Sequence, residues 1–117
     1  MVYYEFNVGD KEYKLRLSAR SIVELEKKLG GNPLTIFLKN GEAKLPTLED
    51  MIYVLHMSLQ KFQHGISLDD VDDIVDEYLE AKTLTDLMGE IMEVYKVSGI
   101  ISEDEEDKEA EGSEEKN

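Results

Sequence analysis

The sequence predicts an α+β fold, with an N-terminal two-stranded β-hairpin packed on a bundle of four to five helices and a disordered acidic C-terminal tail. Three observations carry that expectation. Residue types alternate with period two on both sides of Gly9-Asp10. Apolar residues then recur at helical spacing in segments that open on Ser, Thr or Asn. Beyond Ile100-Ile101 no apolar residue larger than Ala110 appears, so the tail has nothing to bury. The 117 residues leave room for one domain. The expected division is a folded body over residues 1–101 and a tail over residues 102–117.

The strands Tyr3–Val8 and Lys11–Leu17 flank a two-residue turn, and Gly at its first central position suits type II′. That register sets Phe6 against Tyr13 and Tyr4 against Leu15 on one face. On the other face Glu5 meets Lys14 and Tyr3 meets Arg16, which offers a charge pair and a cation–π contact. A lone hairpin is marginal in water, so this one has to pack on helices.

A first helix begins at Ser18 or Ser21, where Ser21 and Glu24 have capping-box spacing. It aligns Ile22, Leu25 and Leu29 and ends at Gly30-Gly31. Asn32-Pro33 opens a short helix over Leu34–Lys39, and Asn40-Gly41 stops it. Thr47 caps a third helix, Leu48–Phe62, striped by Leu48, Met51, Ile52, Leu55, Leu59 and Phe62. Tyr53 and Met57 fall off that stripe, adjacent at i, i+4 spacing, and His56 projects with the polar side. Ser67 caps a fourth helix, Leu68–Glu80, whose Leu68, Val71, Ile74, Val75, Tyr78 and Leu79 oppose an acidic face. Thr83 caps a fifth, Leu84–Ser98, with Leu84, Leu87, Met88, Ile91, Val94 and Tyr95 inward, and Gly99 closes it.

Charge is segregated. The formal net charge is −14, and Leu68–Glu80 supplies half of it with seven acids and no base. The tail from Glu103 supplies the other half, with nine acids against Lys108 and Lys116, and the remaining eleven acids and eleven bases cancel. This balance argues against nucleic acid and anionic membranes as partners, since both require clustered Lys and Arg. No apolar run reaches the length of a membrane span, and the charged, Tyr-rich start has no signal-peptide core. The absence of cysteine rules out disulfides, thiol catalysis and cysteine zinc sites, and the expected setting is cytoplasmic.

No catalytic constellation emerges. The run DDVDDIVDE lacks the central glycine and spaced terminal Glu of a calcium loop, and its period is that of a helix. Gly30-Gly31 is a helix stop, because a phosphate loop needs a longer glycine frame followed by Lys-Ser/Thr. His56 and His64 have no identifiable nucleophile to serve and read as solvated side chains. The chain is expected to be neither an enzyme nor dependent on a cofactor or metal.

The run KEYKLRLSARSIVELEKKLGGNPL, Lys11–Leu34, resembles the start of a tail assembly chaperone family of long-tailed bacteriophages and prophages. LPTLEDMIYVLHMSLQ at Leu45–Gln60, ISLDDVDDIVDEYLE at Ile66–Glu80 and the closing SGI at Ser98–Ile100 look like later pieces of that family. The likeness covers about residues 3–101 and rests on the order of several pieces, none of them a catalytic signature. It implies a non-enzymatic role in building a siphophage-like tail. Such chaperones hold the aggregation-prone tape measure protein in solution, help recruit major tail tube protein subunits, and stay in the host cytoplasm rather than the mature virion. Members often occur as a shorter product and a longer, frameshifted one, and this chain looks like the shorter.

The residues themselves lend independent support. Like charges at i, i+4 (Asp69/Asp73, Asp72/Asp76, Asp73/Glu77, Asp76/Glu80) each cost roughly 0.2–0.5 kcal/mol in an isolated helix, so a basic partner surface would relieve them. Tyr53 and Met57, with Asp69, Asp73, Asp76 and Glu80, are the candidate partner-binding residues, since Met and Tyr suit adaptable contact with a helical client. Against this stands the plainer reading of a solvated acidic face and of Tyr53 and Met57 as secondary core. Charge alone also admits an acidic nucleic-acid mimic that inhibits a DNA-handling enzyme, or a structural tail subunit. Whether copies self-associate into a ring or spiral is open at this level.

Overall fold

A computed structural model describes residues 2–102 of the chain. The expected acidic tail lies outside these residues, apart from Ser102. Strands β1 (Tyr4–Val8) and β2 (Lys11–Leu15) pair antiparallel with Tyr4 opposite Leu15, Glu5 opposite Lys14 and Phe6 opposite Tyr13. Gly9 has φ +60° while Asp10 stays at negative φ, which distinguishes a type II′ turn from type I′. Phe6, Val8 and Leu15 are buried on the inner face. On the outer face the expected Tyr3–Arg16 contact gives way to another arrangement. The Lys14 ammonium lies 4.9 Å from the Tyr3 ring centroid, and Arg16 donates to the Val2 carbonyl at 3.0 Å. The ladder ends at Tyr4–Leu15, so Tyr3 and Arg16 are not ladder partners.

Past β2 the chain is pinned to two helices. Arg16 N donates to Ser58 O at 3.0 Å, and Leu17 N donates to Ser98 Oγ at 2.9 Å. Helix α1 (Ala19–Leu29) follows, capped by Ser18, whose Oγ accepts from Ser21 N at 3.1 Å. Ser18 therefore holds the cap, and Ser21 is buried inside the first turn rather than forming a box with Glu24. Gly30 ends the helix at φ +74°.

The short helix expected over Leu34–Lys39 is instead a 3₁₀ segment, Pro33–Phe37, capped by Asn32 Oδ1, which accepts from Leu34 N at 2.9 Å. A single turn opened by proline has too few i→i+4 bonds to settle as α-helix. Leu38–Lys39 (β3) and Glu42–Ala43 (β4) then form a miniature hairpin. Asn40 and Gly41, at φ +54° and +79°, make its type I′ turn, so this Asn-Gly reverses the chain as well as stopping the helix.

Helix α2 (Leu48–Leu59) is the centre of the body and contacts α1, β2 and the two helices that follow. Its buried residues are Met51, Val54, Leu55, Ser58 and Leu59. Being flanked on several sides, it buries Val54 and Ser58 along with Met51, Leu55 and Leu59 of the expected stripe, while Leu48, Ile52 and Phe62 are half-buried, and Ser58 Oγ donates to Leu55 O at 3.0 Å. The helix stops before Phe62, whose ring packs edge-on against Tyr3 at 5.6 Å.

Helices α3 (Leu68–Ala81) and α4 (Leu84–Val97) both open on capping boxes, Ser67 with Asp70 and Thr83 with Asp86. They bury Val71, Ile74, Val75 and Tyr78, and Leu87, Ile91, Val94 and Tyr95, respectively. Leu84, expected inward, is 45% exposed: it lies in line with the packed stripe but at the first position of α4. Tyr95 donates to the Pro33 carbonyl at 2.7 Å, and its ring meets Phe37 edge-on, which ties the 3₁₀ segment to α4.

Candidate functional site

Two polar features stand out above the core. The first is a carboxylate shared by three elements. Glu90, on α4, accepts hydrogen bonds from Tyr4 of β1 and, at 2.8 Å, from Tyr78 of α3. Lys82 Nζ lies 3.9 Å from the same carboxylate, whose side chain is 12% exposed. Burial, then hydrogen bonding to Glu90 and its charge, pushes both phenols far above the usual tyrosine value of 10.0. Both hydroxyls are thus fixed as donors, and their effect is to hold the hairpin on the helices. Among the described residues no group of three His, Asp or Glu side chains is gathered to hold a metal ion.

The second feature is the acidic face of α3. Asp69, Asp70, Asp72, Asp73, Asp76 and Glu80 are exposed and Glu77 is half-buried. Among the described residues none of the seven forms an ion pair with Lys or Arg. The helical pitch divides them. Asp69, Asp76 and Glu80 lie towards the middle of the face, Asp70 and Glu77 lie at the edge that adjoins Ile74, and Asp73 stands between the two groups.

That edge borders a cleft of about 330 Å³ between the hairpin and α3. Asp70, Asp73, Ile74 and Glu77 form one wall; Lys11 and Tyr13 of β2 form the other, with Ile66 at the end. The site is positioned from three sides. The Glu77 carboxylate lies against the Gly9 turn. Tyr13 is held by its register with Phe6, and the two rings are 6.4 Å apart. The Ile66 carbonyl is fastened to α2 by Gln60 Nε2 and His56 Nε2, each at 2.9 Å. His56 is therefore a loop anchor rather than the solvated side chain expected of it. Asp70 is committed to the helix cap: hydrogen bonds from the Ser67 backbone and then its hydroxyl hold its carboxyl below the usual 3.8. Asp73 and Glu77 carry no such commitment.

The expected partner residues are thus spread over two places. Tyr53 and Met57 are half-buried on α2 and pack against the core, with Lys28 Nζ of α1 5.6 Å from the Tyr53 ring centroid. Of the four acids expected with them, only Asp73 lines the cleft; Asp69, Asp76 and Glu80 stand outside it. Tyr13, Lys11, Ile66 and Glu77 are not singled out by sequence patterning. The usable signal is that Asp70 and Glu77 fall beside Ile74 at helical spacing, which marks one edge of the acidic stripe as different from its middle.

The comparisons with curated proteins and with solved structures return no match. A family model described as a family of unknown function (DUF6096) matches residues 4–116, nearly the whole chain, and the protein belongs to that family.

Proposed function

We propose that this chain is a non-enzymatic chaperone of phage tail assembly, which binds and solubilises the tape measure protein and helps recruit tail tube subunits. It acts in the host cytoplasm and is absent from the mature virion. The resemblance over residues 3–101 suggests the role. One observation carries it further: the strongest charge on the body lies on one helix face whose acids form no ion pair with Lys or Arg among the described residues. A surface of that kind favours a basic client, steers its approach and keeps copies of the chaperone apart.

In this reading α3 faces the client, and the half-buried Tyr53 and Met57 offer a second, adaptable contact on α2. The test is a pulldown with tagged chain from a host producing phage, read by intact and peptide mass spectrometry. Recovery of a very long helical tail protein, with a heavier product sharing this N-terminus, supports the proposal. Recovery of a DNA-processing enzyme, or of virion components alone, overturns it.

A further inference from the structure

The cleft between β2 and α3 differs from the rest of the acidic face because an aromatic and two aliphatic side chains stand among its charges. Tyr13, half-buried against Phe6, lines it together with Ile66 and the buried Ile74, and Asp73 and Glu77 stand beside them. Its size, about 330 Å³, is at the small end of ligand sites and suits one long side chain. A plain solvated helix face needs no such recess.

These walls select among cations. An arginine guanidinium is planar and weakly hydrated, stacks on an aromatic face, and meets carboxylates through a fork of donors. A lysine ammonium is compact and strongly hydrated, so it gains less from the same aromatic and aliphatic walls. We propose that the cleft receives an arginine side chain from a helical segment of the client, its stem against Ile66 and Ile74 and its guanidinium between Tyr13, Asp73 and Glu77. The inference rests on the chaperone reading for the identity of the partner.

Charge complementarity excludes the chain's own C-terminal segment as occupant. Residues 103–117 carry nine acids against two bases, and the same carboxylates repel them. Among the described residues Lys11 is the one cation lining the cleft, and it makes no ion pair with Asp70, Asp73 or Glu77. It competes with an incoming arginine, so Lys11→Gln is expected to tighten binding.

The experiment is a ¹H–¹⁵N NMR titration of the full chain with a capped helical peptide of leucine and arginine, and with the same peptide carrying citrulline in place of arginine. Arginine peptide is expected to shift the amides of Lys11, Tyr13, Ile74 and Glu77, and citrulline peptide is not. Asp73→Asn with Glu77→Gln is expected to weaken binding about tenfold, whereas Asp69→Asn with Asp76→Asn, which lowers the charge of the face but leaves the cleft intact, weakens it only about threefold. Equal losses from the two pairs would overturn the slot in favour of diffuse attraction. Cleft shifts that grow with protein concentration before peptide is added would overturn it in favour of a second copy. Client solubility is read separately. If Asp73→Asn with Glu77→Gln solubilises the client as well as the parent does, the slot falls and the chaperone reading stands.

Discussion

The carboxylate of Glu77 on α3 occupies the space that a β-carbon on Gly9 would need. A turn residue of the hairpin and a lip residue of the cleft are therefore in direct contact, and each constrains the other. Gly9→Ala meets two penalties. At φ +60° an L side chain is strained by about 1–2 kcal/mol. The Glu77 carboxylate, being the far end of a flexible side chain, must also swing aside. Thermal denaturation is expected to show a melting temperature lower by several degrees, at about 4–8 °C per kcal/mol for a domain of this size.

The acidic face is expected to be held at some cost to the fold itself. Asp76 has like-charged neighbours at i−4 and i+4, Asp72 and Glu80, and no cation partner among the described residues. Asp76→Asn should therefore stabilise the isolated chain by about 0.4–1 kcal/mol, and added salt should raise the parent's melting temperature more than the variant's. Paired melts at low and high ionic strength check this. A variant no more stable than the parent at low salt would mean that the repulsion is already relieved within the fold.

Glu90 joins β1, α3 and α4 through two phenols, so removing either hydroxyl costs more than a surface hydrogen bond. Tyr78→Phe is expected to destabilise by about 1.5–3 kcal/mol, as for a bond to a charged group. Tyr4→Phe should show a similar direction and couple to it, because both donate to one carboxylate. Urea unfolding of the two single variants and the double variant measures the coupling.

The same phenols set an alkaline limit. Tyr4, Tyr78 and Tyr95 are all raised above the ordinary 10.0, with burial the leading cause in each. Because the folded value exceeds the unfolded one, their contribution is complete below pH 10 and is lost as pH rises beyond it. Absorbance titration at the phenolate band should show these three ionising together with unfolding rather than before it.

At the acid end the two capping boxes act with the opposite sign. Asp70 and Asp86 are held below 3.8 by hydrogen bonds from the backbone of Ser67 and Thr83, and then from their hydroxyls. Their stabilisation is present above that value and fades as pH falls through the lowered folded values. Asp70→Asn with Asp86→Asn should flatten this part of the acid limb in urea unfolding followed as a function of pH.

Much of the fold is legible in the sequence because local chemistry and global packing agree. Gly9 dictates the turn, the turn dictates the Phe6–Tyr13 register, and Ser67, Thr47 and Thr83 each stand one residue before an observed helix. The misses have particular causes. The 3₁₀ segment at Pro33 is too short for period to decide its type, and Asn40-Gly41 serves two turn roles that look alike in sequence. Leu84 fits the stripe of α4 yet lies at its exposed first position. His56 reads as polar surface because its partner, the Ile66 carbonyl, comes from a loop whose path the sequence does not reveal. The acidic stripe of α3 is plain in the sequence, but the cleft is not. It requires Tyr13 and Ile74 to meet across elements some sixty residues apart in the chain.

The most direct test of the central claim is co-expression of the tape measure protein with this chain and with a variant carrying Asp69→Lys, Asp73→Lys, Asp76→Lys and Glu80→Lys. The measured quantity is the fraction of tape measure protein that stays in the supernatant and co-migrates with the chain on size exclusion. The account predicts a soluble complex with the parent chain and loss of most of that complex with the charge-reversed variant, whose own fold is checked by circular dichroism. A tape measure protein equally insoluble with and without the parent chain would contradict the chaperone role.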